Sequence, residues 1–144
     1  GVELTYGGGV GAGFVVALDR DGAVLWQHGL GASGGAGGDA IVINPDGSVF
    51  VSGFFAGTMQ LAGLDYAVEG DGNRNAFVAR FAGGEPLWAR AVPGRDFASP
   101  RGLAAADDGA AVLAGFFDSR VTLTNTTLAS IGASDIFLGR VEGP

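Results

Sequence analysis

Residues 49–55 read VFVSGFF, and residues 111–117 read AVLAGFF, so the tripeptide GFF recurs 62 positions further along a chain of 144 residues. Other landmarks recur in the same order and at the same spacing, namely the Leu-Trp pairs at 25–26 and 87–88 and the Asp-Gly pairs at 46–47 and 108–109. Chance would not keep several landmarks in register, so the sequence predicts a tandem array with a period near 62 and about 2.3 units.

A second motif marks the start of each unit. It reads FVVAL at 14–18, FVARF at 77–81 and FLGRV at 137–141. The predicted divisions are the end of a preceding repeat at 1–12, repeat 1 at 13–74, repeat 2 at 75–134 and the first strand of a third repeat at 135–144.

Each unit is rich in hairpin signals. The segments GFVVALDRDGAVLWQHG (13–29) and DAIVINPDGSVFVSGFF (39–55) both place two apolar runs around an Asp-Gly turn. Asp-Gly between β-branched and aromatic runs is a strong signal for a β-hairpin. We therefore expect two hairpins, or four strands, per unit. The polar segment at 56–76 is expected to hold one small extra strand pair or a loop.

The strand pattern predicts sheets that are covered on both faces. In the segment 14–18, Phe14, Val16 and Leu18 face one way and Val15 and Ala17 the other, and all of them are apolar. Four-stranded sheets stacked face to face are the blades of a β-propeller. The predicted fold is all-β, with tandem four-stranded antiparallel blades that are incomplete as a single chain, because a propeller closes with roughly four to eight blades. Either the chain is a piece of a longer array, or neighbouring copies complete each other's blades.

The motif FVARF … PLWAR, followed by an Asp-Gly turn and GFF, resembles the bacterial SBBP-type β-propeller repeats. The segments GFVVALDRDGAVLW, NPDGSVFVSGFF and SDIFLGRVEG carry this resemblance over nearly the whole chain. Arginine in place of the usual lysine, and ADDGAAVLAGFF without the usual aromatic residue in the strand, depart from the family pattern. The resemblance implies a propeller fold and an extracellular or cell-surface location in a bacterium, and it says little about activity.

The composition limits the classes of partner. The net charge is −7, which disfavours nucleic acid and anionic membranes as partners. The chain has no run of about 18 apolar residues, so no membrane span is expected. It contains no cysteine, which excludes disulfides and cysteine-ligated metals. The 28 glycines indicate tight turns and closely packed strands rather than long helices.

Closely spaced carboxylates occur in DRDG, NPDG, ADDG and EGDGN, but none of these segments has the spacing of a calcium-binding loop. The favoured interpretation is turn chemistry, in which Asp side chains accept hydrogen bonds from nearby backbone groups. No cofactor is predicted. Calcium remains an alternative, and its best candidates are Asp65, Glu69, Asp71 and Asn73.

The remaining motifs favour structural roles. The lone histidine, His28, occupies the position of Arg90 in the next unit, which predicts a solvent-facing side chain rather than a catalytic one. The glycine-rich stretches at 7–13 and 29–39 lack the lysine or the following helix that a nucleotide-binding loop requires. Trp26 and Trp88 are equivalent and are expected to pack between blades, with repeated sugar pockets as the alternative.

These observations favour a noncatalytic binding or scaffold module over an enzyme. The alternatives are a structural protein that assembles by sharing strands and a carbohydrate-binding propeller with one pocket per blade. The predicted partners are a protein or glycan ligand and additional blades from the same or another chain. Ligand contacts are expected in the polar segment of each unit, because loops on a rigid scaffold carry function. The candidate ligand-binding residues are Tyr66, Asn73, Arg74, Asn125 and Thr126.

Overall fold

The computed structural model describes residues 11–61, 64–66 and 74–143, and for 64–66 it describes the backbone alone. This part of the chain folds into thirteen strands: β1 (Ala12–Leu18), β2 (Val24–Ala32), β3 (Ala36–Ile43), β4 (Val49–Phe55), β5 (Met59–Leu61), β6 (Leu64–Tyr66), β7 (Asn75–Ala82), β8 (Glu85–Val92), β9 (Phe97–Ala105), β10 (Ala111–Asp118), β11 (Arg120–Leu123), β12 (Thr126–Ala129) and β13 (Asp135–Val141). No helix that could cross a membrane occurs among these residues.

The strands form three larger sheets and one separate hairpin. The first sheet has the order β1-β2-β5-β6, the middle sheet β3-β4-β7-β8 and the third sheet β13-β10-β9, while β11 and β12 pair with each other. All pairs between these strands are antiparallel. The predicted all-β class with antiparallel sheets is therefore confirmed. The small extra strand pair expected in the polar segment is also present, as β5-β6 in the first unit and β11-β12 in the second.

The sheets are half a unit out of phase with the sequence repeats. Strands β3 and β4 come from the unit at 13–74, and they share the middle sheet with β7 and β8 from the unit at 75–134. The partner of β1-β2 in the first sheet is the polar-segment hairpin β5-β6. Each unit therefore contributes its two main hairpins to two different sheets, and β4 and β7 form the seam between units.

Apolar side chains cover both faces of the middle sheet. Phe55, Phe77 and Phe81 point to one face, where they form a core cluster with Val15 and Leu30 of the first sheet. The other face carries Phe50, Val78 and Trp88, which form a second cluster with third-sheet residues, including Leu113 and Phe117. The alternation of side chains along each strand thus fills two cores at once.

The two cores are built by equivalent positions. Phe55 in the first core corresponds to Phe117 in the second, and Phe77 corresponds to Phe137 in the opening motif of the next unit. The third sheet therefore presents to the middle sheet the same face that the middle sheet presents to the first. All three sheets are therefore stacked in the same orientation, and the contact between the first and middle sheets recurs between the middle and third sheets.

The glycine of GFF is required by a close approach of the backbone. A side chain at Gly53 would overlap the carbonyl oxygen of Gly37 and come within 2.8 Å of the Phe77 ring. At Gly115 it would overlap the carbonyl oxygen of Ser99 and come within 2.8 Å of the Phe137 ring. The same collision in both units explains why the glycine recurs with the two phenylalanines.

That close approach lies beside a β-bulge in each sheet. The register between β3 and β4 skips Asp39, and the register between β9 and β10 skips Arg101, which lies 62 positions later in the sequence. Strands β3 and β9 each lie at the end of their sheet's strand order. A bulge bearing a charge on such a strand hinders pairing with a foreign strand.

We expect Gly53→Ala to lower the free energy of unfolding by about 1–3 kcal/mol, because the added methyl group overpacks the bulge. Urea denaturation followed by circular dichroism measures the loss. Gly132→Ala is the matched control, since a side chain there meets no atom within 4 Å. Equal stability of the two variants would contradict this account of the GFF glycine.

Candidate functional site

A continuous stack of arginine and phenylalanine side chains runs between the middle and third sheets. The Arg74 guanidinium carbon lies 3.8 Å from the centre of the Phe54 ring and 5.4 Å from that of Phe97. The Phe97 and Phe116 rings are stacked with centres 5.5 Å apart, and the guanidinium carbon of Arg101 lies 4.8 Å from the centre of the Phe116 ring. We call these five residues the arginine–phenylalanine ladder.

The fold positions the ladder through the ends of β4, β7 and β9. Arg74 directly precedes β7, and its carbonyl oxygen accepts a hydrogen bond of 2.7 Å from the backbone N–H of Ala98. This bond joins the start of β7 in the middle sheet to the start of β9 in the third. The bond thus places Arg74, at the boundary between the two sequence units, beside Phe97.

The two phenylalanines of each GFF have different roles. Phe55 and Phe117, the second of each pair, are fully or almost fully buried in the cores. Phe54 and Phe116, the first of each pair, are half-buried, and each lies under a guanidinium group. The two phenylalanines of each pair therefore lie on opposite faces of their strand.

Asp39 lies within electrostatic range of both ladder arginines. Partial desolvation of its carboxyl raises the pKa of Asp39, while the nearby charges of Arg101 and Arg74 act in the opposite direction. Because desolvation is the larger effect, the ionised form of Asp39 is less favourable there than it would be in water. The bulge residues of two successive units, Asp39 and Arg101, thus bring opposite charges together.

The Asp-Gly turns hold their aspartates by backbone contacts, as predicted. The Asp19 carboxylate accepts hydrogen bonds from the N–H groups of Asp21 and Ala23, and Asp46 accepts one from Ser48. Asp108 accepts a hydrogen bond from the N–H of Ala110. The turn interpretation of these carboxylates is confirmed.

Two of the turn aspartates also form equivalent ion pairs, Asp46 with Arg80 and Asp108 with Arg140. A hydrogen bond from the Ser48 hydroxyl and the nearby Arg80 lower the pKa of Asp46. The hydrogen bond from Arg140 lowers the pKa of Asp108. Both carboxylates are therefore already neutralised by the protein's own arginines.

A cleft of about 620 Å³ lies where β8, the β11-β12 hairpin and the end of β13 meet. Its polar lining includes Arg90, Thr122, Thr124, Asn125 and Glu142. Thr124 adopts a left-handed backbone conformation, with φ of 51°, in the tight turn between β11 and β12. That turn places Asn125 in the lining of the cleft, which offers amide, hydroxyl and charged groups to a polar ligand.

His28 is not solvent-facing, which corrects the expectation drawn from its equivalence to Arg90. Its ring is half-buried, and its centroid lies 5.3 Å from that of Phe81 and 5.9 Å from that of Trp26. Its Nε2 atom lies 2.5 Å from the carbonyl oxygen of Gly84, across the boundary between the first and middle sheets. The imidazole therefore ties one sheet to the next.

The equivalent arginine makes the corresponding contact. The Arg90 side chain donates a 3.4 Å hydrogen bond to the carbonyl oxygen of Glu142. Position 28 and position 90 are exchangeable because both side chains reach a backbone acceptor of the neighbouring sheet. The predicted packing role of the two tryptophans is confirmed, since Trp26 and Trp88 each pack against a core cluster.

Of the predicted ligand-binding residues, the three whose side chains are described lie in different places. Arg74 lies in the ladder and Asn125 in the cleft, whereas Thr126 is exposed on β12, opposite Leu123. The backbone of Tyr66 belongs to β6, and Asn73 lies outside the described residues.

Sequence reasoning missed Asp39 and Arg101. Their placement 62 positions apart with opposite charge was the available signal, but a bulge depends on strand register and is not visible in the repeat pattern.

Most of the calcium candidates lie outside the described residues. These are Glu69, Asp71 and Asn73, whereas of Asp65 only the backbone is described. Within the described ranges, no three acidic or histidine side chains come together in a way that could hold a metal ion.

Comparison of the chain with protein-family models, with characterised proteins and with solved structures gives no match. The resemblance to SBBP-type repeats therefore stays a prediction from the sequence motifs.

We expect Arg101→Gln to raise the pKa of Asp39 further, because the substitution removes a nearby positive charge that favours the carboxylate. Titration of the Asp39 carboxyl by NMR measures the change. Arg20→Gln is the control, since Arg20 lies on the β1–β2 turn and pairs with Asp21. An unchanged or lowered pKa in Arg101→Gln would show that the two bulge residues do not interact.

Proposed function

We propose that this chain is a noncatalytic binding or scaffold module built from β-propeller-type blades, and that it functions as part of a longer array in a secreted or surface-exposed bacterial protein. The stacked sheets carry the proposal. The middle sheet is covered on both faces, whereas the outer faces of the first and third sheets expose apolar side chains that their equivalents bury.

On the first sheet, Phe14 is 56% exposed and Leu18 54% exposed. The equivalent residues of the middle sheet, Phe77 and Phe81, are buried against the first sheet. The exposed face of β1 is thus the same kind of surface that elsewhere in the chain forms a core. Another sheet of the same type would cover it.

The third sheet has the complementary exposed face. On β13, Ile136 is 82% exposed and Leu138 70% exposed, while the equivalent Ala76 and Val78 of β7 are fully buried against the third sheet. The exposed face of the first sheet and the exposed face of the third sheet thus correspond to the two surfaces that meet where neighbouring sheets pack together. Monomeric soluble proteins seldom leave such apolar sheet faces uncovered.

A further pair of positions supports the array. Leu103 on β9 packs against the second core, and β9 contacts both β3 and β4. Its equivalent on β3, Ile41, is 56% exposed, and the first sheet has no counterparts of β3 and β4 among its described strands. Ile41 would be covered if the first sheet had the two additional strands of a complete blade.

The described polar groups support binding rather than catalysis. The single histidine is engaged in a contact between sheets, and the turn aspartates are held by backbone groups and arginines. The ladder and the cleft remain as surfaces for a protein or glycan ligand. In the cleft, the Thr122 hydroxyl forms a hydrogen bond with the Thr127 hydroxyl, and the Glu142 carboxylate pairs with Arg140.

Self-assembly is the second candidate, and the same exposed faces favour it. The free face of β13 in one copy could be covered by the free face of β1 in another. Such a contact joins two different surfaces, so it would continue into a ring or an open filament rather than stop at a two-fold dimer.

We expect the isolated chain to associate as its concentration rises and the double variant Ile136→Thr/Leu138→Thr to associate less, because the substitutions reduce the apolar area on the third sheet. Size-exclusion chromatography with light scattering measures this. Ile131→Thr is the matched control, since Ile131 is fully exposed on the bend before β13 rather than on the sheet.

The size of the associated species separates the two candidates. A discrete multiple of 14.3 kDa would favour self-assembly, whereas heterogeneous association would favour a module removed from its array. A stable monomer at every concentration would contradict both.

A further inference from the structure

The eight basic residues of the chain, all arginines, fall into two sets. Arg20, Arg80 and Arg140 pair with carboxylates, and Arg90 donates a hydrogen bond to a backbone carbonyl. Among the described residues, the side chains of the other four form neither an ion pair nor a hydrogen bond: Arg74, Arg95, Arg101 and Arg120. Within the described part of the chain, the guanidinium donor groups of this second set have no hydrogen-bond or ion-pair partner.

Three of the four unpaired arginines lie at one end of the sheets, away from the Asp-Gly turns. The N–H of Arg95 donates a 2.9 Å hydrogen bond to the carbonyl oxygen of Arg120, so these two residues are adjacent. Arg74 is bridged to Phe97, two residues beyond Arg95, and Arg101 lies further along β9. Asp39, Asp96 and Asp118 lie beside these arginines, so the region carries charges of both signs in a chain of net charge −7.

The ladder prepares two of these guanidinium groups for binding. Stacking on Phe54 and Phe116 fixes the planes of Arg74 and Arg101, while the N–H donors lie around the edge of each plane. A stacked guanidinium has lost part of its side-chain freedom before a ligand arrives, so less entropy is lost on binding. Carboxylates are the anions whose geometry suits the paired donors of arginine.

Three of the four nearby aspartates accept hydrogen bonds from neutral groups of the protein. Asp96 accepts a hydrogen bond from the Ser119 hydroxyl, Asp118 accepts one from Ser134, and Asp135 accepts one from the N–H of Ile131. Asp39 is the exception, and it lies within electrostatic range of Arg74 and Arg101 without forming an ion pair with either. An external carboxylate would therefore compete with Asp39 for interaction with Arg74 and Arg101.

The geometry points to a binding surface for an acidic peptide segment, with the carboxylates of its Asp or Glu side chains held by Arg74 and Arg101 and supported by Arg95 and Arg120. This inference deepens the proposed binding role and rests on it. Arg101 lies on β9, at the end of its sheet's strand order, and Arg95 lies just before that strand. An extended peptide running beside β9 would pass both guanidinium groups, with its like-facing side chains about 7 Å apart. The ladder rings already stack on one another or on arginines, which leaves an acidic glycan no free aromatic platform.

Fluorescence anisotropy with a labelled oligoglutamate peptide tests the inference at about 0.1 M salt, where a Debye length of about 10 Å screens the distant acidic turns. We expect binding that weakens about tenfold in the double variant Arg74→Gln/Arg101→Gln and is lost near 1 M salt. Arg20→Gln, which removes the same charge at the β1–β2 turn, should bind like the unmodified chain. Unlabelled polygalacturonate serves as the competitor that represents an acidic glycan.

Three results would overturn the inference: absence of binding, equal weakening by Arg20→Gln, or recognition of polygalacturonate in preference to the peptide. Because Arg74 packs on Phe54, circular dichroism must confirm that the double variant folds. If it does not fold, Arg101→Gln alone carries the test, since Arg101 is exposed on its bulge. Association of the chain without peptide binding would leave the array proposal standing and remove only the acidic-peptide surface.

Discussion

The burial of both faces of the middle sheet is the constraint on which the rest of the molecule depends. Strands with alternating polarity would have one wet face, whereas β4 and β7 carry apolar side chains on both. Such a sheet is stable only between two neighbours, which fixes the stacking of the first and third sheets against it. The packing of the tryptophans and the His28 contact both follow from sheets that lie close together on the two sides.

The recurrence of GFF reflects three separate demands on three adjacent residues. The glycine admits a neighbouring carbonyl oxygen at the bulge, the first phenylalanine lies under a guanidinium group, and the second fills a core. A change at any of the three would disturb a different contact. Because each of the three residues makes its own contact, all three recur together, and the tripeptide is the clearest repeat signal in the sequence.

Much of the fold was predictable from the sequence because its signals are local. The Asp-Gly turns indicate the hairpins, and the spacing of the two GFF tripeptides at 53–55 and 115–117 indicates the repeat. The grouping of hairpins into sheets was not predictable, because the pairing of β4 with β7 spans the polar segment and depends on contacts distant in sequence. The ladder was hidden for the same reason: Arg74 was a candidate, but its stacking partners come from both sheets.

The half-unit offset between repeats and sheets has a consequence for how such a chain can grow or shrink. Adding or deleting one whole unit leaves every seam between β4-type and β7-type strands intact, so the number of sheets can change without redesigning any of them. Cutting the chain between units, however, divides a sheet through its middle. Each unit is thus interlocked with the next, because the middle sheet takes one main hairpin from each of two successive units.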